Sequence, residues 1–410
     1  MAEAAITTLD LLAKDDEDSL SSRGPLLAVG AVDGQASVHS TKQNAATGEL
    51  RLDESARLTT TPTASKVVRV LLTSAADNAW VVWQDGSLDR FDIRDLAQPR
   101  CVERASLFAI KSSATRPAAQ PEASTAMVTV CEWALGRETL LVGDSTGGLN
   151  AWFRVRAGAT ESSATPSSDA KTPASDSTLS AGGSATASRA EFESDGFELV
   201  RAHRLPSRST AVTALAASPR SRLAAAGYAD GHVVALHVTT ENRLAEAVAV
   251  DQEPVRQLQL TAKEDAIVAS TSRGLVQFDL DARHPEATLA ALFAPVWYEG
   301  YREPRHVWQS SFAGVEPEMK LGLWPLVFGT LKATFYSLLF SAPIALLAAL
   351  HTSEFMTPTL RSRIKPAIEM MASLPSVVLG FLAALVFAPV IEQAVAGVLT
   401  SLIAAPLAVL

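Results

Sequence analysis

The sequence contains only two cysteines, Cys101 and Cys131, among 410 residues. The pair permits one disulfide without requiring it, and two small buried side chains are the more usual interpretation. The seven histidines are scattered, and no group of His, Cys and Asp residues has the spacing of metal ligands. We therefore expect no metal and no other cofactor in this chain.

Several functional motifs are also missing. There is no Gly-rich phosphate-binding loop, no nucleophile elbow and no carboxylate pair that can be assigned to one site, so we do not expect an enzyme. The formal net charge of −9 argues against a nucleic-acid partner, because phosphate backbones select basic surfaces. The first twenty residues are acidic and lack the apolar core of an export signal.

Long uncharged apolar runs are present near the end, at residues 333–350 and 374–391. Crossing ~30 Å of hydrocarbon takes roughly 17–25 such residues in a helix. We predict membrane spans at about 323–350 and 374–391, with Lys332 reaching toward the headgroups, and the start of a third span at 394–410. Burial of these helices in a soluble core is the alternative. Because the sequence ends inside the third run, we interpret it as a fragment of a longer protein.

A repeated pattern of short strands precedes these runs. Full copies begin at Val68, Met127, Val212 and Val255, and a partial copy begins at Leu26. Each copy has a glycine that we place in a two-residue hairpin turn with positive φ: Gly34, Gly86, Gly148, Gly231 and Gly274. Units at intervals of ~40–50 residues are typical of β-propeller blades. The architecture resembles WD40 blades without their strict Gly-His and Trp-Asp dipeptides; a β-sandwich is the alternative.

These patterns divide the chain into segments. Residues 1–24 are predicted to be a flexible lead-in and residues 25–295 a β-propeller-like domain. Within that domain, residues 158–190 are almost wholly Ser, Ala, Thr, Gly, Pro and Asp, which predicts a disordered insert. Residues 296–322 form a linker, and residues 323–410 form the transmembrane segment.

The linker is rich in aromatic residues, namely Trp297, Tyr298, Tyr301 and Trp308. Aromatic side chains with polar tips favour the membrane–water boundary. They can equally pack the linker against the propeller, and the sequence leaves both interpretations open.

Three motifs in the last quarter of the chain carry a family resemblance. Taken together, Gly329–Thr334, Lys365-Pro366 and Leu374–Phe381 resemble the permease subunit of a bacterial phosphate ABC transporter. The likeness is to the enlarged form of Gram-negative bacteria, in which a propeller-like domain is inserted after the first membrane helix. That first helix is missing from this sequence, which again indicates a fragment. The implied fold class is a WD40-like β-propeller followed by all-α transmembrane helices of an ABC-importer permease.

The resemblance implies a membrane permease subunit of an ATP-driven phosphate importer. Its implied partners are a second permease subunit, ATPase subunits that bind the ATP, a periplasmic phosphate-binding protein and membrane lipid. The implied location is the bacterial inner membrane, with several spans. The loop at 351–373 carries Arg361, Arg363 and Lys365, but basic residues also lie upstream of the first span, at Arg302, Arg305 and Lys320, so the charge count alone is indecisive. Charges next to a long domain weigh less, and in agreement with the resemblance we place the loop in the cytoplasm and the propeller in the periplasm.

An anion path favours hydroxyl groups and a cation. The candidate residues for the substrate pathway are therefore Thr330, Lys332, Thr334, Ser337 and Ser376. For Lys332 the alternative is an interface anchor. The alternative function of the whole chain is a membrane-anchored β-propeller binding scaffold.

Overall fold

The chain forms two compact units, Met1–Val327 and Phe328–Leu410. In the computed structural model the described residues are 5–12, 25–43, 50–58, 65–108, 126–156, 196–249, 252–309, 318–373, 375–397, 400 and 404. The first unit consists mainly of β-strands, and the described part of the second is helical.

Five antiparallel sheets follow one another in the first unit, and in each sheet the strands pair in chain order. The first sheet comprises β1 (Ile6–Leu12), β2 (Leu26–Ala31), β3 (Ala36–Gln43) and β4 (Leu50–Leu58). The second comprises β5 (Val67–Leu72), β6 (Asn78–Trp83), β7 (Ser87–Asp92) and β8 (Arg100–Ser106). The third comprises β9 (Val128–Trp133), β10 (Leu140–Asp144), β11 (Leu149–Arg156) and β12 (Phe197–Arg204). The fourth comprises β13 (Val212–Ala217), β14 (Leu223–Tyr228), β15 (His232–His237) and β16 (Asn242–Val248), and the fifth β17 (Gln257–Leu260), β18 (Ala266–Thr271) and β19 (Gly274–Asp279).

The first strand of each sheet packs against the first strand of the next, from β1 through β5, β9 and β13 to β17. Of the five apolar clusters in the described residues, four lie between two consecutive sheets, and the fifth joins the third sheet to Trp297. Trp83 and Tyr228 are among the largest side chains that are fully buried. Successive antiparallel meanders stacked in this way, four with four strands and the last with three, are the blades of a propeller-like fold.

A threonine at the start of a blade repeatedly joins it to the following blade. The Thr213 hydroxyl donates to the Gly227 carbonyl at 3.2 Å, within its own blade, and to the Val255 carbonyl at 2.6 Å, at the start of the next. The hydroxyls of Thr7 and Thr129 likewise each donate to one backbone carbonyl of their own blade and to one at the start of the following blade. All three residues lie where the strand register shifts by one residue, so the bulge directs the hydroxyl toward the neighbouring blade.

The blade turns differ in detail from those predicted. In four of the five hairpins the loop has three residues, and the third of them is a glycine with positive φ. The Thr271–Gly274 hairpin has a loop of two residues. In the third blade the positive φ of +90° belongs to Gly147 and not to Gly148. Gly147 is the third residue of its loop, the place that Gly34, Gly86 and Gly231 take in theirs, whereas Gly148 lies after the turn and pairs with Asp144.

One segment prediction is wrong, because Ile6–Leu12 is the first strand of blade one and not part of a flexible lead-in. Its alternating pattern, ITTLDLL, pairs with β2 in antiparallel register. The predicted disordered insert at 158–190 and most of the third apolar run lie outside the described residues.

The helices follow the blades. They are α1 (Leu289–Phe293), α2 (Trp324–Leu350), α3 (Pro358–Ala372), α4 (Ser376–Leu382) and α5 (Ala388–Gln393), with π-helical turns at His351–Phe355 and Ala383–Phe387. Two of the continuous helical stretches, Trp324–Phe355 and Ser376–Gln393, are long and apolar enough to cross a membrane. In the most apolar 18-residue window of each stretch, no residue is buried.

Candidate functional site

The five residues predicted for a substrate pathway lie on two helices. Thr330, Lys332, Thr334 and Ser337 are on α2, and Ser376 is the first residue of α4. The grouping of all five around one path stays a prediction.

Helix geometry separates the four candidates on α2 into two faces. At 100° per residue, Thr334 and Ser337 fall within roughly 40° of Thr330 around the axis, whereas Lys332 lies about 140–160° from each of these three residues. Lys332 instead stands 6.0 Å from the ring centre of Tyr336, one turn along the helix. A path lined by the hydroxyl face would therefore not also be lined by Lys332 of the same helix.

A buried charged cluster lies elsewhere, between the linker and the blades, and we call it the Arg222 junction. It consists of Arg222, Thr139, Thr239, Glu299 and Glu318. The Arg222 guanidinium forms an ion pair with Glu299 and donates to the Thr139 hydroxyl at 3.1 Å. Glu318 accepts from the Glu299 amide at 2.9 Å and from the Thr239 hydroxyl.

The junction joins separate parts of the fold. Thr139 precedes β10 of the third blade, Arg222 precedes β14 of the fourth, and both glutamates belong to the linker. The side chains of Arg222 and Glu318 are only 3% and 7% exposed, so each charge depends on its partners for stabilisation. Loss of Arg222 would leave the Glu318 carboxylate without its cation in the interior.

A cavity of about 180 Å³ borders the junction and is lined by Arg222, His237, Glu286, Tyr298 and Glu318, among others. Burial lowers the pKa of His237 from its usual 6.5 to about 4, an effect that Arg222 and His203 reinforce and Glu286 and Glu318 oppose. The imidazole is therefore neutral at physiological pH, with its Nδ1 atom 2.9 Å from the Thr240 hydroxyl.

The aromatic residues of the linker mostly pack against the blades. Trp297 is buried and meets Phe153 of β11 edge to face, with ring centres 5.8 Å apart. Its indole N–H donates to the Tyr301 carbonyl at 2.8 Å, and Tyr298 is also buried. Of the two interpretations left open by the sequence, packing against the propeller applies to Trp297 and Tyr298.

Both cysteines are free, as the simpler interpretation of the sequence had it. Burial raises the pKa of the Cys101 thiol to about 11 and raises that of Cys131 as well. Neither sulfur is a reactive thiolate at neutral pH. Within the described ranges, no cluster of three or more His, Cys, Asp and Glu side chains is placed to hold a metal ion.

Sequence reasoning did not identify the Arg222 junction. Its members are scattered from residue 139 to residue 318, and no spacing rule connects them. One local signal was available: Arg222 immediately precedes the apolar strand LAAAGY, where a charge must be compensated if the strand end is buried.

Comparison with known proteins adds a partial relationship. No protein-family profile matches the chain. Over 78 residues the chain is 32% identical to the probable ABC transporter permease protein YqgH of Bacillus subtilis, covering 19% of this chain and 25% of that protein. Part of this chain is similar to an ABC transporter permease. It spans about a quarter of the length of this curated relative.

A solved structure also aligns with the chain. It is the β-propeller domain of Cps50 (Swd1) from Myceliophteria thermophila, with 10% sequence identity and a TM-score of 0.41. The alignment covers 62% of this chain and 67% of that one.

Proposed function

We propose that this chain is a membrane permease subunit of an ATP-driven phosphate importer and forms part of its translocation pathway. The observation that carries the proposal is the similarity to an ABC transporter permease over 78 residues. The two apolar helical stretches, which are long enough to span a bilayer and are not buried, agree with it.

The proposed translocation path is lined by hydroxyl groups. In it, the hydroxyl face of α2, with Thr330, Thr334 and Ser337, contributes hydrogen-bond donors to the path of an oxyanion. Ser376 adds a further hydroxyl at the start of α4. Lys332 lies on the opposite face of α2, where it serves as the interface anchor that the sequence left open.

In this proposal the chain does not itself catalyse a reaction. ATP is bound and hydrolysed by separate ATPase subunits, and a second permease subunit completes the membrane path. A periplasmic phosphate-binding protein delivers the substrate. Alternating access requires two membrane halves around a central site, which is why a second permease subunit is part of the proposal.

The proposed location is the bacterial inner membrane, with several spans and the blades in the periplasm. Arg361, Arg363 and Lys365 lie on α3, between the two candidate spans. Short basic segments between spans tend to remain in the cytoplasm. Protease treatment of spheroplasts tests this topology: cleavage of the blades in intact spheroplasts supports it, and cleavage only after lysis contradicts it.

Uptake of radiolabelled phosphate tests the transport function. Deletion of the gene should abolish ATP-dependent uptake at low external phosphate, and the intact gene should restore it. The double variant Thr334→Val/Ser337→Ala should lower uptake at equal membrane abundance, because it removes two hydroxyls from one face of α2. Ser353→Ala, which removes a hydroxyl beyond α2, is the matched control. Unchanged phosphate uptake in the deletion strain contradicts the proposal.

A second candidate is a membrane-anchored propeller that acts as a binding scaffold. It is favoured by the size of the β-sheet unit, Met1–Val327, relative to the helical unit. The two candidates differ in what the helices must do. Replacing residues 324–397 by an unrelated membrane anchor would preserve the scaffold function but abolish phosphate transport.

A further inference from the structure

Three large apolar side chains are exposed next to one another where the first unit meets the start of α2. Leu289 and Phe293 lie on α1 and are 78% and 51% exposed, and Trp324, the first residue of α2, is 49% exposed. Residues four apart on a helix share a face, so Leu289 and Phe293 project together. We call these three residues the apolar ridge.

Hydrogen bonds hold the two parts of the ridge together. The Trp324 indole N–H donates to the Phe293 carbonyl at 2.8 Å, and the Leu323 amide donates to the Leu292 carbonyl at 2.8 Å. Both acceptors are carbonyls at the end of α1, which have no partner within a helix that stops there. The start of α2 therefore caps α1, and the position of Phe293 is tied to that of Trp324.

The length of α2 indicates where the ridge lies relative to a bilayer. A membrane span of about 20–25 residues that ends at Leu350 begins between Leu326 and Leu331. At 1.5 Å per residue, Trp324 then stands roughly 3–10 Å outside the hydrocarbon core. The headgroup layer on each side is about 5–8 Å thick, so the Trp324 indole falls in or beside that layer. Phe293, bonded to it through its carbonyl, falls at the same depth.

The chemistry of the ridge matches that layer. Tryptophan and other aromatic side chains are enriched at both membrane interfaces, and short apolar helix faces lie in the plane of the interface. Trp324 is the first residue of the candidate span and is hydrogen-bonded to Phe293, which favours lipid over a protein partner or a second copy as the occupant of the ridge.

We propose that the apolar ridge inserts into the lipid headgroup region, so that α1 is a membrane-surface contact of the propeller-like unit. This inference rests on the proposed membrane insertion of α2. It adds a second, interfacial attachment to the one that the helix supplies.

The test uses the full chain in vesicles of phosphatidylethanolamine and phosphatidylglycerol. Cys101→Ser and Cys131→Ala remove the native thiols, and single cysteines introduced by Leu289→Cys and Phe293→Cys carry an environment-sensitive fluorophore. A nitroxide on the lipid headgroup then quenches any label at that depth. Leu52→Cys is the matched exposed control in blade one, and Leu338→Cys reports on insertion of α2 itself through a nitroxide placed deep in the acyl chain.

The ridge labels should be quenched by the headgroup nitroxide at least about twofold more than the Leu52 label, as expected for side chains at interface depth. If the Leu338 label is quenched by the deep nitroxide but the ridge labels are quenched no more than the Leu52 label by the headgroup nitroxide, the ridge inference is overturned and the proposed membrane function stands. If the Leu338 label is not quenched by the deep nitroxide, the proposed membrane function itself fails. Two ridge positions are used so that one can still report if the other perturbs folding.

Discussion

Replacing Thr213 with valine is the sharpest test of how the blades are held together. Thr213 is partly buried at the bulge that begins the fourth blade. Its hydroxyl lies 2.6 Å from the Val255 carbonyl, which belongs to the start of the fifth blade, and 3.2 Å from the Gly227 carbonyl. Valine has nearly the same shape as threonine, so the substitution removes the hydroxyl and little else.

The magnitude follows from the single hydrogen that the two carbonyls share. One hydrogen bond contributes a net ~0.5–1.5 kcal/mol, and leaving a carbonyl unsatisfied at a buried interface adds to the loss. Val255 is fully buried, whereas Thr213 is only partly so, which favours the middle of the range. We expect Thr213→Val to lower the free energy of unfolding by about 1–2 kcal/mol, a factor of roughly 5–30 in the unfolding equilibrium constant.

Denaturant unfolding of the full chain in detergent, followed by tryptophan fluorescence, measures this loss. Trp80 and Trp133 are buried in the same unit and report on its unfolding. Thr213→Ser is the control, since it retains the hydroxyl and loses only a methyl group. The reasoning is refuted if the valine variant is as stable as the parent within ~0.3 kcal/mol, or if serine is as destabilising as valine.

Three further predictions use the same unfolding measurement. Gly227→Ala places a Cβ atom 2.6 Å from the Cγ1 atom of Val255 and should cost about 1–3 kcal/mol by overpacking, whereas Gly329→Ala, with open space around it, should cost nothing. Arg222→Met leaves the buried Glu318 and the half-buried Glu299 without their cation and should cost about 3–5 kcal/mol; a loss under 1 kcal/mol would contradict the described junction. The pKa of His237 is about 4 in the folded chain and 6.5 when unfolded, so below pH 6.5 only the unfolded chain gains this proton. The free energy of unfolding should therefore fall as pH drops from 6.5 to 4, and this residue should account for about 2 kcal/mol of the loss at pH 5. His237→Asn should remove that part of the pH dependence. If the parent and the His237→Asn variant lose stability equally as pH falls, the depressed pKa is contradicted.

The strand pattern of the blades was largely readable from the chain. Alternating apolar residues around a glycine turn depend on neighbours within about ten positions, and the copies beginning at Val68, Met127, Val212 and Val255 all form the expected strands. The strand Ile6–Leu12 was missed although it alternates in the same way, because its hairpin partner β2 begins fourteen residues after it ends. A strand without a nearby partner has no local signal that separates it from a terminal segment.

The two candidate membrane spans could also be predicted directly from the sequence, because they depend on its local composition. The hydrophobicity of α2 and of the stretch Ser376–Gln393 is a property of the residues themselves, so length and composition identified both helices without a structure. The division of the α2 candidates into two faces required only the helical repeat. It could have been deduced from the spacing of Thr330, Lys332 and Thr334 once that region was taken as a helix.

The sequence alone therefore determined the repeat, the positions of its hairpin turns and the two apolar helices, because each is encoded by residues close together in the chain. Only the tertiary structure decided which distant residues meet. It brought Arg222 of the fourth blade to Glu299 and Glu318 of the linker, and it placed the Trp324 indole against the end of α1. Contacts across such separations follow from how the blades stack, and the pairing of one buried charge with another leaves no periodic trace in the sequence.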